Sequence, residues 1–237
     1  MDNNNGSPTL HINYHNLRNE LHCALANPEL LPARQAARAA FSPSLSYGRH
    51  FGPALPSARP AAVVLLIEPR DEQWTIPLTV RAANLPDHPG QVSLPGGRLE
   101  AGESFRQAAE REFQEELGCE LTAADWVGEL LPLYVYHSDF YVRSFVAISN
   151  RAYQFSPCST EVARVVHLPL SVLVHSTQSK RREFTRGLTS WSAPAIESAG
   201  ATVWGATAMI LADLGMLLQQ ATKGLSSVQA PTAHALC

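Results

Sequence analysis

One stretch, residues 96–119, constrains what this chain can fold into more than any other. It reads as a glycine-bearing loop, a helix and a stop. Ser104 with Gln107 three residues later is a capping box, which satisfies two of the amides left without partners at a helix start. Gly118 can take the left-handed conformation that closes the helix. Phe105, Ala109, Phe113 and Leu117 recur every fourth residue and predict a stripe facing the core. Beside the stripe stand Glu112, Glu115 and Glu116, at i, i+3 and i+4. Like charges at this spacing cost about 0.2–0.5 kcal/mol per pair, so the cluster calls for a positive partner.

A hard divalent cation meets that need. Mg²⁺ prefers oxygen ligands, takes a few carboxylates and keeps water and substrate phosphates at its other positions. A solvated acidic face would account for the three glutamates taken alone; the surrounding residues argue for more. Gly96 and Gly97 let the backbone approach a ligand closely. Arg111 is expected to point away from the centre of the three acids and to reach back to Glu103, holding loop to helix.

The complete pattern is G-x5-E-x7-R-E-U-x-E-E-x-G-U, with U an apolar residue. Gly97, Glu103, Arg111, Glu112, Phe113, Glu115, Glu116 and Gly118 carry it, and Cys119 stands where an aliphatic residue is commoner. Its fixed residue types would coincide by chance with a probability on the order of 10⁻⁶. The pattern resembles the Nudix box, and the chain resembles the Nudix hydrolases, which cleave a nucleoside diphosphate linked to another moiety. The resemblance implies Mg²⁺ or Mn²⁺ held by Glu112, Glu115, Glu116 and the Gly96 carbonyl, with Gly97 against the substrate. It also implies that Arg111 and Glu103 orient the helix against its loop. The general base is a box glutamate in many members and a later glutamate in others. Glu115 therefore carries a catalytic as well as a metal role, and Glu161 is the later candidate. A binding module that kept only the fold would be expected to have lost box glutamates, and this chain has them all.

A second motif lies upstream. Leu78, Thr79, Arg81, Ala82, Gly90 and Pro95 match, at the right spacing, the L-L-T-x-R-[SA]-x3-R-x3-G-x3-F-P-G-G signature of coenzyme A pyrophosphatases. Pro77, Pro86 and Leu94 depart from it, and Pro86 replaces an arginine. Val203-Trp204-Gly205-Ala206-Thr207-Ala208 resembles the segment that opens the last helix of that branch. The resemblance implies a small-molecule substrate, coenzyme A or an acyl-CoA, split into 3′,5′-ADP and 4′-phosphopantetheine, with Arg81 on a phosphate. A broader activity on ADP-ribose, NADH or other nucleoside diphosphate derivatives is the alternative. The Lys180-Arg181-Arg182 run is either a further phosphate contact or a solvated loop.

The rest of the chain supplies the frame. Leu17, Leu21, Ala24 and Leu25 predict an amphipathic helix ended by Pro28. A second helix, from Pro32 to Ala40, carries Arg34 and Arg38 outward. Residues 1–58 thus read as an N-terminal helical extension with a proline-rich linker. Ala61–Glu68 is a continuous apolar run, hence a strand buried on both faces, and Trp74–Arg81 is its partner. Trp126–Tyr136 and Phe140–Ile148 predict a hairpin, Val162–Leu168 a strand and Leu170–His175 a short helix. Thr202–Gln219 is apolar nearly all round. Asp213 within it would cost about 2.5–3.5 kcal/mol in a bilayer, so a buried core helix is expected and a membrane partner is not. Strands alternating with helices around a mixed sheet predict an α/β sandwich over 59–220, and the resemblance implies that it is the Nudix-type α/β/α sandwich. Residues 221–237 read as a disordered tail. A net charge of −3 with no basic stripe argues against nucleic acid. Four scattered cysteines (Cys23, Cys119, Cys158, Cys237) and a polar residue 1–9 segment without a signal pattern fit a reduced, cytoplasmic setting. A homodimer is left open.

Overall fold

The computed structural model describes residues 12–44, 49–85, 88–123, 125–175, 180–186, 189–198 and 200–226. Two helices, α1 (Tyr14–Ala26) and α2 (Leu31–Ala40), precede the strands. The main sheet comprises β1 (Arg59–Arg70), β2 (Gln73–Arg81), β3 (Val92–Ser93), β4 (Gly96–Arg98), β5 (Trp126–Glu129), β6 (Leu133–Val135), β7 (Phe140–Ile148) and β8 (Val162–Pro169). Helix α3 (Phe105–Leu117) lies between β4 and β5, and α4 (Leu170–His175) follows β8. A second, three-stranded sheet is built from β9 (Lys180–Arg186), β10 (Thr189–Ser198) and β11 (Ala201–Trp204), and α5 (Gly205–Ser226) ends the described chain.

β1 organises the sandwich. Alternate residues of a strand point to opposite faces. Ala62, Val64 and Leu66 accordingly pack with Ala109, Phe113 and Leu117 of α3. Ala61, Leu65 and Ile67 pack on the other face in a core with Leu17 and Leu21 of α1 and Leu211 and Leu214 of α5. The sheet is mixed: β1 runs parallel to β7, and its other pairings are antiparallel. β1 also changes partner along its length. Its first half holds β4, with Ala62 opposite Gly97 and Val63 opposite Gly96, while its end pairs with β2. That split seats the glycine pair beside the helix that follows it.

The expected α/β sandwich is present, with three differences in detail. Arg34 and Arg38 point inward, each 5% exposed, because Asp213 of α5 waits there: Arg34 Nε donates to it at 2.6 Å and Nη2 at 3.1 Å. The Lys180-Arg181-Arg182 run opens β9 rather than a loop. Helix α5 starts at Gly205 and runs to Ser226, so residues 221–226, assigned by sequence to the tail, are its last turns. Residues 227–237 lie outside the described residues, as does Pro86. Among the described residues, no helix is long and apolar enough to cross a membrane.

Candidate active site

The capping box forms as the spacing predicts. Ser104 Oγ accepts the Gln107 N–H at 3.3 Å, and the Ser104 N–H donates to Gln107 Oε1 at 2.9 Å. Gly118 closes α3 at φ 70° and donates to the Gln114 carbonyl at 2.8 Å. With Ala109, Phe113 and Leu117 fully buried and Phe105 half-buried edge-on to Tyr141, the helix is fixed about its axis. Glu112 and Glu116 are thereby turned toward β4.

Glu116 is 6% exposed. It accepts the Gly96 N–H, but its Oε2 is buried without a hydrogen-bond partner. Such an orphaned buried oxygen is rare and marks strain, catalysis or a ligand. Burial above all, then the Glu112 charge, pushes its carboxyl up to about 8. Glu112 is likewise raised, chiefly by burial and against the pull of Arg111. A Cβ at Gly97 would stand 2.4 Å from the Glu112 carboxyl carbon, so the bare backbone is what leaves that carboxylate its place. Gly96, at φ 145°, would bring a Cβ to 2.2 Å from the Ala62 carbonyl oxygen; only glycine fits there.

Arg111 corrects one expectation. It does reach Glu103, with Nε at 2.8 Å and Nη2 at 3.1 Å, and Nη2 also donates to the Arg98 carbonyl at 3.0 Å. It does not point away from the acids, however. Nη1 donates to Glu112 at 3.0 Å and to Glu115 at 2.9 Å. The i, i+4 spacing from Arg111 to Glu115 is the signal that could have shown this. Glu103 raises the Arg111 pKa most, and Arg111 in turn holds the Glu103 carboxyl below its ordinary value. Arg111 thus supplies part of the positive partner that the glutamate spacing demands and leaves Glu116 without it.

With Arg111 so placed, no three His, Cys, Asp or Glu side chains among the described residues stand as a ready metal cage. The donor set still suits a hard cation: carboxylate oxygens, one of them buried and unbonded, beside a close-approaching backbone. Two sequence candidates from outside the box join it. β2 pairs with β8 through a register shift between Val80 and Arg81, which sets Arg81 opposite Val162, and bulges of this kind re-aim side chains beside sites. The Ala82 N–H donates to the Glu161 carbonyl at 2.8 Å. Arg81 lowers and Glu161 raises the Glu116 pKa, so both charges act on the box. The basic run is otherwise engaged: Arg182 pairs with Glu197, and Arg181 donates to Ser192 and Ser44.

A model of the NUDIX domain matches residues 57–188. The mouse peroxisomal coenzyme A diphosphatase NUDT7 is 29% identical over 131 residues, covering 55% of each chain. The Nudix hydrolase NudL of Enterobacter sp. strain 638 is 32% identical over 165 residues, 67% of this chain and 82% of NudL. The chain spans about half the length of several curated relatives it matches. Among solved structures, a MutT/nudix family protein from Enterococcus faecalis aligns with a TM-score of 0.50 at 14% identity, over 90% of this chain and 80% of that one, a likeness of fold.

Proposed function

This chain belongs to the Nudix hydrolase family, and we propose that it is a pyrophosphohydrolase that uses a divalent ion, Mg²⁺ or Mn²⁺, to split coenzyme A or an acyl-CoA in the cytoplasm. The products are 3′,5′-ADP and 4′-phosphopantetheine. The observation that carries the reading is Glu116, a buried carboxylate with an orphaned oxygen between Glu112 and the Gly96–Gly97 backbone. Glu112, Glu115, Glu116 and the Gly96 carbonyl would hold the ion. When bound, it supplies a polarised phosphoryl oxygen and a water of lowered pKa.

The chain's own groups do the rest. Arg111, braced by Glu103 and the Arg98 carbonyl, keeps Glu112 and Glu115 at one end of the loop and limits their mutual repulsion. Glu115, 58% exposed and bonded to Arg111 through one oxygen, and Glu161 are the two candidates to take a proton from an attacking water. Arg81 offers a fork to a substrate phosphate. Coenzyme A is favoured by the match of Leu78, Thr79, Arg81, Ala82, Gly90 and Pro95 to the upstream signature, and by the name of the mouse relative. Pro86 in place of the second arginine supports the broader reading on ADP-ribose or NADH. A panel of coenzyme A, ADP-ribose, NADH and diadenosine polyphosphates, with products identified, tests the choice. Coenzyme A should give the highest kcat/KM, and faster cleavage of ADP-ribose would replace it with the broader reading.

A further inference from the structure

A cavity of about 650 Å³ opens between α2 with its following connector and the body. Ala36 and Ala39 of α2, Pro53 and Ala54 of the following connector, and Tyr134 and Tyr141 of β6 and β7 give it small, apolar and aromatic walls. No residue of the box lines it. Its volume falls in the range of small-molecule sites, which pair such walls with a few placed polar groups.

The polar group here is Arg38. It lines the cavity, is 5% exposed, and its Nε has no hydrogen-bond partner. Burying an unpaired polar atom is costly, and a guanidinium cannot escape by losing its proton. Nor does the neighbourhood neutralise it. The charges that act on Arg38 are Asp213 and Arg34, and Asp213 already accepts two bonds from Arg34 and one from the Leu131 N–H. Two buried guanidiniums therefore share one carboxylate. His50, also lining the cavity and 8% exposed, has its Nδ1 2.8 Å from the Tyr134 carbonyl oxygen and adds no negative charge.

We propose that this cavity is a binding site for a small organic anion, a phosphate or carboxylate on an apolar or aromatic body, with the anionic group on Arg38. The anion meets Arg38 where it lines the cavity and supplies the charge that Asp213 cannot provide twice, while the body lies against Tyr134 and Tyr141. The anion is either a remote group of the substrate or a separate small metabolite.

Calorimetry on the full chain decides it, with phenyl phosphate and benzoate as probes, benzyl alcohol as the uncharged body and inorganic phosphate as the bodiless anion. At least one of the two probes should bind and raise Tm, while benzyl alcohol and inorganic phosphate bind roughly tenfold or more weakly. Arg38→Met should weaken the probe by roughly tenfold to a hundredfold at a Tm no lower than wild type, because it removes a buried charge that lacks a full partner. Ala39→Trp fills the cavity without touching that charge and should abolish binding too, which decides the matter if Arg38→Met fails to fold. Glu116→Gln should bind the probe unchanged. Competition between probe and substrate in turnover would assign the site to the substrate's own remote group; binding without competition would assign it to a separate metabolite. The site is overturned if neither probe binds, if binding survives both cavity variants, or if it disappears in Glu116→Gln.

Discussion

Two groups of arginine and carboxylate, built from the same chemistry, sit at opposite extremes in this molecule. Asp213 in α5 is 1% exposed, and each of its oxygens is bonded: to Arg34 Nε, to Arg34 Nη2 and to the Leu131 N–H. In the box, Arg111 satisfies Glu103, Glu112 and Glu115, yet Glu116 is left with a buried, unbonded oxygen and a raised pKa. The first group closes a fold over a charge it has already desolvated. The second leaves an acid with capacity unused, which the proposed metal role would take up. Burial alone therefore does not distinguish the two carboxylates; what differs is whether each one's hydrogen-bonding capacity is exhausted.

The largest effect should come from breaking the closed group. Asp213→Asn keeps the shape but leaves Arg34 and Arg38 with no counter-charge, and loss of one partner of a buried pair costs about 3–5 kcal/mol. Urea unfolding should show that loss, with kcat per folded molecule unchanged. A cost below about 1 kcal/mol would mean that the α2–α5 contact does not depend on the pair.

Glu116→Gln should do the reverse. The amide keeps the volume and removes the desolvated charge, so metal-free Tm should be no lower than wild type. Activity should fall on the order of 10²–10³-fold, equivalent to about 3–4 kcal/mol of barrier. Normal turnover with added Mg²⁺ would show that Glu116 holds no metal, and a lower Tm would show that its buried carboxyl is structural after all.

The difference between the two groups also explains what could be read in advance. Much of the box is local: Ser104 to Gln107 and Arg111 to Glu115 lie within one turn of helix, and even the reach of Arg111 back to Glu103 spans only eight residues. The two buried faces of β1 follow from its unbroken apolar run. Arg34 and Asp213 are 179 residues apart, so nothing near Arg34 reveals that an acid waits inside, and an arginine on a short alanine-rich helix reads as exposed. The β9–β11 sheet escaped for a related reason. Lys180, Arg181, Arg182 and Glu183 are exposed, and the strand they open is held by Phe184 stacked on Trp191 and Trp204, aromatics scattered across the sequence.

A third test sharpens the open side of the comparison by asking what the site accepts. Coenzyme A carries a 3′-phosphate that its dephospho form lacks, and charge-assisted bonds from an arginine fork are about twice as strong as neutral ones. Arg81 lies at the β2 bulge, and its charge reaches Glu116. Wild type should favour coenzyme A over dephospho-coenzyme A in kcat/KM by about tenfold, and Arg81→Ala should shrink that gap. Equal rates in wild type would remove the case for 3′-phosphate recognition.

The smallest effect tests the rule on a group that lies between the two extremes. Glu68 is fully buried and bonded to Arg70 and to the Tyr153 N–H. His167 on β8 stands 3.5 Å from it with a buried, unbonded Nδ1. Asp71 favours a charged ring, but burial and then the nearby Arg70 outweigh it and push His167 down to about 4. In the unfolded chain the imidazole titrates near 6.5. Between those values the unfolded chain takes up a proton that the folded chain refuses, so His167 lowers stability as pH falls from 6.5 to 4 and has no such effect above 6.5. Partial exposure and the Asp71 attraction reduce the amplitude to about 1–2 kcal/mol. Glu68, raised by burial, works in the opposite sense over part of this window, so the wild-type curve alone would hide the effect. The difference between His167→Gln and wild type isolates it: in urea unfolding at pH 7 and pH 4.5, the variant should gain on wild type at the lower pH. A variant that instead loses ground to wild type at the lower pH would mean that the folded ring is charged and paired with Glu68, which would make this group closed, like Asp213.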